Sequence, residues 1–238
     1  MDSLPKELVD LILYFTRNLV YDLCQVSKYF NRVVKEIRIT SNEFYPNMKS
    51  KHLEHLSNLT MIFQHEKMML TDNELFKLTK LTYLELDCNK KVTDASLSNL
   101  TNLVSLSLCY NDIISNRGIS TLTRLTSLGL IKTKRIDDGG LLNLTNLTNL
   151  GLRENSLITN DGISDLINLK TLNLFLNRNI TDEGISTLTN LTSIDLACNN
   201  KITMYSVSNL INLTKVNRRC SKISANEVMK VFPGIKVV

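Results

Sequence analysis

A strict 22-residue repeat governs most of this 238-residue chain. The pattern L-T-x-L-x-L-x-x-N recurs, and its first leucine returns without a slip at Leu59, Leu81, Leu103, Leu125, Leu147, Leu169, Leu191 and Leu213. A fixed period of this length is typical of stacked coils, because one coil alone cannot bury its own apolar side chains. The sequence therefore predicts about eight coils that share one continuous core.

Each coil contains a strand-like part and a helix-like part. Apolar residues stand three and five places after the first leucine, as at Leu84 and Leu86, and this alternation predicts a short strand with one buried face. An asparagine stands eight places on in most coils, as at Asn111, and we expect these amides to stack in a ladder. The later apolar positions follow Thr-Asp or Asn-Asp and predict a short capped helix on the outer side.

The repeat resembles the leucine-rich repeat family, as in "LKTLNLFLNRNITDEGISTLTN" and "LTNLTSIDLACNNKITMYSVSN". The resemblance runs from about Leu59 to Val238. It implies an α/β solenoid with a curved parallel sheet on its concave side and short helices on its convex side. Atypical residues in the last coil, Val216, Arg218 and Ser221, are those of a cap.

The first 58 residues lack the repeat, and their apolar residues have helical spacing. The stretches "LPKELVDLIL" and "LVYDLCQVSKYFNRVVKE" resemble the F-box family. We therefore assign an F-box-like helical segment to residues 1–40, a connection to 41–58 and leucine-rich repeats to 59–238. The alternative is that these helices merely seal the first coil.

By resemblance to F-box proteins that carry leucine-rich repeats, the chain is a substrate receptor of an SCF-type cullin-RING ubiquitin ligase. The implied partners are a Skp-type adaptor with its cullin complex and an unidentified target protein, and outside that complex we expect a monomer. The residues that would dock on the adaptor are Leu4, Pro5, Leu8, Ile12, Leu13, Val26 and Phe30. Two alternatives stay open: a leucine-rich-repeat scaffold or inhibitor outside any ligase, and an internalin-like effector.

The sequence offers no catalytic machinery. It has no phosphate-binding G-x-x-x-x-G-K-[ST], no dinucleotide-binding G-x-G-x-x-G after a strand, no G-x-S-x-G and no H-E-x-x-H. The acidic pairs Asp137-Asp138 and Asp182-Glu183 fall where the outer helices begin, and acids favour helix N-termini. We expect no enzyme activity, no cofactor and no metal site.

A binding surface is expected instead on the concave side, where the side chains beside the buried leucines face outward. Aromatic and arginine side chains are enriched at the centres of protein interfaces. The candidate partner-binding residues are Phe63, Tyr83, Glu85, Asp87, Ile131, Arg153, Phe175 and Arg219. From Lys201 onward the sequence has seven lysines and arginines but only one acidic residue, Glu227. No aromatic stacking platform accompanies these basic residues, so they indicate a solvated cap, and no nucleic-acid partner is expected.

The chain is expected in the cytoplasm or nucleus, with no membrane partner. It has no apolar run of about 18 residues and no secretory hydrophobic region followed by a cleavage site. Its five cysteines are odd in number and widely spread, which favours free buried thiols over disulfides or zinc. Seven N-x-[ST] sequons would be hard to glycosylate in a packed array and favour a compartment without glycosylation.

Overall fold

The structure, a computed structural model, describes the strands at residues 36–38 and 61–63 and all of residues 70–238. Its strands form one parallel sheet in chain order. The strands are β1 Glu36–Arg38, β2 Met61–Phe63, β3 Tyr83–Glu85, β4 Ser105–Ser107, β5 Ser127–Gly129, β6 Asn149–Gly151, β7 Thr171–Asn173, β8 Ser193–Asp195, β9 Lys215–Asn217 and β10 Lys236–Val237. From β2 to β9, paired residues stand one 22-residue repeat apart, as in Leu84 beside Leu106. Each coil therefore adds one strand beside the previous one.

A short helix crosses the opposite side of each coil. The helices are α1 Asp72–Leu75, α2 Asp94–Leu97, α3 Asn116–Ile119, α4 Asn160–Ile163, α5 Asp182–Ile185, α6 Met204–Val207 and α7 Ala225–Val231. The coil between α3 and α4 has a single 3-10 turn, Asp138–Gly140, in place of a helix. Two consecutive glycines in that turn, Gly139 and Gly140, weaken a regular helix. The predicted short helices are thus confirmed, with this one exception. The predicted caps are present only in part: Thr93, Thr203 and Ser224 accept from a helix N–H, whereas Ser115, Thr159 and Thr181 make no such hydrogen bond.

The core lies between the sheet and the helices and is continuous along the described coils. The leucines at the middle of successive strands, such as Leu106, Leu128 and Leu150, are at most 3% exposed. Burying a leucine contributes about 1.5–3 kcal/mol. The predicted alternation of buried and outward residues is therefore confirmed.

The predicted amide ladder runs along the end of the strands. The Asn111 side-chain amide donates to the Asn89 carbonyl at 3.0 Å, and its Oδ1 accepts from the backbone N–H groups of Ile113 and Ile114 at 2.9 and 3.0 Å. Where Thr133 replaces asparagine, its hydroxyl accepts from the Asn155 amide at 3.0 Å. The ladder satisfies backbone groups that would otherwise be buried without partners.

The sheet extends beyond the predicted repeats at its first end and includes the last residues of the chain at the other. Strand β1 pairs with β2 although its residues belong to the segment predicted as helical, and β10 adds a strand beside β9. The rest of the F-box-like segment and all of the predicted connection lie outside the described residues. In the last described coil, Val216 is fully buried, whereas Arg218 takes a place that leucine fills elsewhere and is half-buried.

Candidate protein-binding face

The outer face of the sheet forms a groove of about 460 Å³, lined by residues from β3 to β9. A groove on this face agrees with the concave side that the leucine-rich-repeat resemblance implies. Small polar residues and glycine cover most of its surface, which we call the groove floor: Ser105, Ser107, Ser127, Gly129, Asn149, Gly151, Thr171, Asn173 and Ser193. At the centre, Gly129 pairs with Gly151 across β5 and β6. The floor therefore leaves room for a partner's backbone to approach the sheet.

Large side chains gather just beyond the ends of the strands. We call the connected set Tyr110, Lys132, Arg153, Glu154 and Phe175 the strand-end rim. Lys132 Nζ lies 5.4 Å from the centre of the Tyr110 ring and 2.7 Å from Glu154 Oε2. Arg153 Nε lies 3.3 Å from Glu154 Oε1, and its guanidinium lies 4.5 Å from the centre of the Phe175 ring. These contacts link four successive coils.

The charges in this rim orient side chains more than they stabilise the fold. The hydrogen bond to Glu154 raises the pKa of Lys132, and the same bond lowers the pKa of Glu154. Both groups therefore stay charged at neutral pH. Because exposed ion pairs contribute little to stability, their main effect is to hold Arg153 and the aromatic rings in place.

An unusual backbone conformation presents several of these side chains. The residue seven places after the first leucine has a φ of 52° to 58° in seven successive described coils: Cys88, Tyr110, Lys132, Glu154, Leu176, Cys198 and Cys220. Non-glycine residues pay about 1–2 kcal/mol for this left-handed conformation. The Asn111 N–H closes the turn by donating to the Leu108 carbonyl at 3.0 Å, with Tyr110 as the third residue of the turn. The turn places these side chains beyond the strand residues that line the groove.

The two ends of the groove differ in charge. Near β3, Asp87 Oδ1 accepts from the Ser107 hydroxyl at 2.6 Å and from the Cys109 N–H at 2.9 Å. Burial, then the charge of Asp87, raises the pKa of Glu85. Burial and the nearby carboxylates also raise the pKa of Tyr83. At the other end, Lys215 and Arg219 are exposed, and Asp195 on the neighbouring strand β8 adds one carboxylate to the groove.

The predicted partner-binding residues fall in three places. Asp87, Ile131, Arg153, Phe175 and Arg219 take the sixth place after the first leucine, beside the turn, and Tyr83 and Glu85 stand on β3. Phe63 belongs to β2, but its side chain lies outside the described structure. The adaptor-binding set also lies outside the described residues: Leu4, Pro5, Leu8, Ile12, Leu13, Val26 and Phe30.

The apolar candidates are only partly exposed. Tyr83, Ile131 and Phe175 are half-buried, and Arg153 covers the Phe175 ring. Sequence reasoning missed Tyr110, which is 49% exposed, and the Lys132–Glu154 pair beside it. The signal was the column seven places after the first leucine, where large residues stand although the turn favours glycine or asparagine.

The prediction of buried thiols was wrong. Cys88 and Cys220 are exposed, and Cys109 and Cys198 are half-buried. They stand six or seven places after the first leucine, past the strand positions that point into the core. Cys24 lies outside the described residues.

On the convex side, the acidic residues join neighbouring coils. Asp138 Oδ1 accepts from the Thr159 N–H at 2.8 Å, and Asp138 Oδ2 accepts from the Thr159 hydroxyl at 2.7 Å. We call the set of such pairs the outer ladder: Asp72–Thr93, Asp94–Ser115, Asn116–Asp137, Asp138–Thr159, Asn160–Thr181 and Asp182–Thr203. In four of these coils glycine stands three places after the Thr, Ser or Asp, and a Cβ at Gly162, for example, would collide with Asp138. In the other two coils Ser96 and Ser206 take that place, and their hydroxyls donate to Asp72 and Asp182. The acidic pairs thus have a structural role, as predicted.

In two pairs of the outer ladder, Asn116–Asp137 and Asn160–Thr181, asparagine replaces aspartate and the side-chain hydrogen bond runs in the opposite direction. Asp137 cannot donate a hydrogen bond when ionised, and the residue opposite it is Asn116 rather than aspartate. The Asn116 amide donates to Asp137 Oδ1 at 2.6 Å, while Asn116 Oδ1 accepts from the Asp137 N–H at 3.0 Å. Asp137 also accepts from the Gly139 N–H at 3.0 Å. In each pair, a hydrogen-bond donor in one coil therefore meets an acceptor in the neighbouring coil.

The described residues contain neither a cluster suited to a metal ion nor a helix suited to a membrane span. Within residues 70–238, no group of three or more His, Cys, Asp and Glu side chains is placed to hold a metal ion. None of the helices in the described part of the chain has the length and apolar character needed to cross a membrane.

Comparison with known proteins agrees with this architecture. The Leucine Rich repeat family matches residues 77–100, 165–188 and 187–203. These coils are leucine-rich repeats. The matched segments include no F-box, and no curated protein sequence matches the chain. The leucine-rich repeats form a protein–protein interaction module.

Solved structures of bacterial proteins have the same fold. An internalin, inlF, from Listeria monocytogenes is 25% identical, with 92% of this chain and 72% of that chain covered and a TM-score of 0.66. A leucine-rich-repeat protein from Leptospira interrogans is 25% identical, with coverage of 79% and 50% and a TM-score of 0.61. Internalin C2 from Listeria monocytogenes, at 20% identity, covers 97% of this chain and 95% of its own, with a TM-score of 0.53. The chain spans half the length of the Leptospira protein.

Proposed function

We propose that the strand-end rim and the groove floor together bind a protein partner. The observation that carries this proposal is the connected set of contacts from Tyr110 through Lys132, Glu154 and Arg153 to Phe175. Side chains already held in place lose less conformational entropy when a partner binds. Aromatic and arginine side chains are also the ones that contribute most at interfaces.

The rim and the floor have separate tasks in this proposal. The small floor lets the partner's main chain approach the sheet, while Arg153, stacked on Phe175, keeps N–H groups that can donate to a partner carboxylate or carbonyl. The carboxylates Glu85 and Asp87 at one end and Arg219 at the other set the partner's orientation through their opposite charges.

Replacing Tyr110, Arg153 and Phe175 together by alanine tests this proposal. Loss of a typical hot-spot side chain costs about 2 kcal/mol or more, so we expect at least a 30-fold loss of affinity for the captured partner. The matched control is Asp161→Ala with Glu183→Ala, two exposed residues on the outer helices. Equal loss of affinity in both variants would place the binding surface elsewhere.

The more specific role is that of a substrate receptor in an SCF-type ubiquitin ligase. It is supported by the resemblance of residues 4–36 to the F-box family, with Leu4, Pro5, Leu8, Ile12, Leu13, Val26 and Phe30 docking on a Skp-type adaptor. The chain would then carry out no chemistry itself. It would raise the effective concentration of the target beside the ligase.

A pull-down of the full chain with a Skp-type adaptor tests that role. Replacing Leu8 and Ile12 by aspartate puts charges into an apolar contact and should abolish binding. The variant Asp161→Ala serves as the control because it alters only the exposed surface of a distant coil. If the wild-type chain does not bind the adaptor, the ligase role is excluded.

A second candidate is an internalin-like effector that binds a protein without any ligase. The structural similarity to the Listeria internalins favours it. The same pull-down separates the two candidates, because an internalin-like effector should keep rim-dependent capture while failing to bind the adaptor.

We further propose that the protein works in the cytoplasm or nucleus. N-glycosylation attaches to Asn Nδ2, and in five sequons that nitrogen already donates a hydrogen bond to a backbone carbonyl: Asn99, Asn146, Asn179, Asn190 and Asn212. This geometry supports a compartment without N-glycosylation. Fluorescent tagging of the full chain tests the location.

A further inference from the structure

The column seven places after the first leucine brings side chains of neighbouring coils into contact. Lys132 Nζ lies 5.4 Å from the centre of the Tyr110 ring and 2.7 Å from Glu154 Oε2. Each of these partners stands 22 residues from Lys132. The last two described members of the same column are Cys198 and Cys220, which are also 22 residues apart.

The two cysteines have matching backbone geometry. Their φ angles are 54° and 56°, so both side chains leave the turn in the same way. The Cys198 N–H donates to the Arg219 carbonyl at 2.7 Å, as the Lys132 N–H donates to the Arg153 carbonyl at 3.2 Å. Neighbouring parallel strands lie about 4.8 Å apart, and a disulfide needs Cα atoms about 4.4–6.8 Å apart. Their Cα atoms therefore lie within the range that a disulfide spans, and a shift of well under about 2 Å would bring the two parallel Cβ atoms into range as well.

We propose that Cys198 and Cys220 are an oxidation site that forms an intramolecular disulfide between the last two repeat coils. Oxidised glutathione, a small-molecule disulfide, can serve as the oxidant. The exposed Cys220 thiolate attacks one glutathione sulfur and releases one glutathione thiolate. Cys198, after losing its proton, attacks the Cys220 sulfur and releases the second. Two protein thiols are oxidised and one glutathione disulfide is reduced to two thiols, so atoms and electrons balance.

The accessibility of the two thiols sets this order. Cys220 is exposed and Cys198 is half-buried. Burial, then the neighbouring Cys220 thiol, raises the pKa of Cys198, which makes its thiolate scarcer. Cys220 is therefore the first nucleophile and Cys198 the resolving one.

The bond would fasten the end of the array. The last coil carries β9, α7 and β10, and β10 pairs with β9 alone among the described strands. A disulfide at its start would join this coil covalently to the coil before it. Because Arg219 directly precedes Cys220, the bond would also fix the basic end of the groove.

Peptide mapping of the full chain tests the proposal. The protein is incubated in glutathione buffers of increasing oxidised fraction, alkylated, and digested with trypsin. Cleavage after Arg178, Lys201, Arg219 and Lys222 gives peptides 179–201 and 220–222, and we expect them joined, with two hydrogens lost. The count of alkylated cysteines should fall from five to three.

The chain supplies its own control pair. Cys88 and Cys109 also stand in neighbouring coils, and the Cys88 N–H donates to the Cys109 carbonyl at 2.8 Å, but the two cysteines hold different places in the repeat. We expect Cys88 and Cys109 to remain free thiols, and so to be alkylated, under conditions in which the 198–220 link forms. Equal yields of both links would overturn the proposal, as would dimers joined through Cys220 in place of the internal link.

Two single variants complete the experiment. In Cys198→Ser, Cys220 should keep a bound glutathione, because no second thiol resolves the mixed disulfide. In Cys220→Ser, Cys198 should remain a free thiol that is alkylated at every glutathione ratio. The oxidant should then no longer raise the thermal unfolding midpoint, as we expect it to do in the wild-type chain. Separate glutathione adducts on both cysteines of the wild-type chain would contradict the proposed pairing.

Discussion

The outer ladder and the strand-end rim are both columns that link successive coils, but their chemistry differs. The outer ladder repeats one contact in every pair: an Asp or Asn side-chain oxygen in one coil accepts from the backbone N–H of a Thr, Ser or Asp in the next. The rim changes at every coil, from Tyr110 to Lys132 to Glu154 and Arg153 to Phe175. A pairing that repeats serves what every coil needs, which is attachment to its neighbour. A set that varies gives each position a separate identity, as recognition of one partner requires.

The energetics of the two columns follow the same division. Each Asp–Thr pair joins an ionised acceptor to both a backbone N–H and a hydroxyl, and hydrogen bonds to charged groups contribute about 1.5–3 kcal/mol. The Lys132–Glu154 ion pair is exposed, with side-chain exposures of 41% and 23%, and pairs of this kind contribute about 0–1 kcal/mol. The outer ladder should therefore govern stability, and the rim should govern binding.

A change in the shared core should disturb both columns and have the largest effect. Leu150→Ala removes a side chain that is 3% exposed in a central coil, and we expect a loss of about 2–5 kcal/mol. Leu213→Ala, in the last coil, where the leucine is 6% exposed and only one further strand follows, should cost less. Urea titration measures both. Equal losses would show that the array is not weakest at its end.

A change in the outer ladder should reduce stability and leave binding intact. Asp138→Ala removes both hydrogen bonds to Thr159 and should cost about 1–3 kcal/mol. Asp161→Ala, an exposed carboxylate in the next coil, is the matched control and should cost less than about 0.5 kcal/mol. Unfolding midpoints and partner affinity are measured for both variants. An Asp138→Ala protein that keeps its stability but no longer binds its partner would contradict the assignment of stability to the outer ladder and of binding to the rim.

The Asn116–Asp137 pair allows a test of matching within the outer ladder. Asn116→Asp removes the amide hydrogen bond to Asp137 and sets two carboxylates against each other, and it should cost about 1 kcal/mol. Adding Asp137→Thr recreates the pairing seen at Asp138 and Thr159, so the double variant should recover much of the loss. A double-mutant cycle measures the coupling. Additive effects would mean that the pair does not interact.

A smaller effect should appear in acid. Burial raises the pKa of Asp182, but hydrogen bonds from Ser206 and Thr203 outweigh it, so its pKa lies below the ordinary value. The unfolded chain therefore binds the proton first, and this stabilisation is present above about pH 4 and is lost as pH falls through the lowered native pKa. Asp182→Asn, which copies the Asn160–Thr181 pairing, should flatten the fall in stability below pH 4. Urea midpoints from pH 7 to pH 2 measure it, and an unchanged slope would contradict the assignment.

The repeat in the sequence was sufficient to predict the core and the amide ladder. Residues such as Leu150 and Asn111 recur at fixed places. Because the period is fixed, the buried positions inferred for one coil apply to every coil. The repeat did not predict which polar side chains form hydrogen bonds between coils. Asp138 and Thr159, for example, stand 21 residues apart and come into contact only when two coils are stacked.

The strand-end rim was predicted only in part for a similar reason. Arg153 and Phe175 were chosen as separate outward-facing residues, whereas their stacking depends on the spacing of two coils. Tyr110 was missed because it follows the strand, and its exposure depends on a left-handed turn that has no glycine to mark it. The exposed Cys220 was misjudged for the same cause.

The most direct test of the division between the two columns is crosslinking from both in otherwise identical proteins. A photoactivatable residue would replace Arg153 on the rim in one protein and Glu183 on the exposed outer face in the other. The account predicts partner crosslinks from position 153 and none from position 183, with equal unfolding midpoints for the two proteins. Crosslinks from position 183 alone would contradict the account, because they would place the partner on the face whose repeating chemistry holds the coils together.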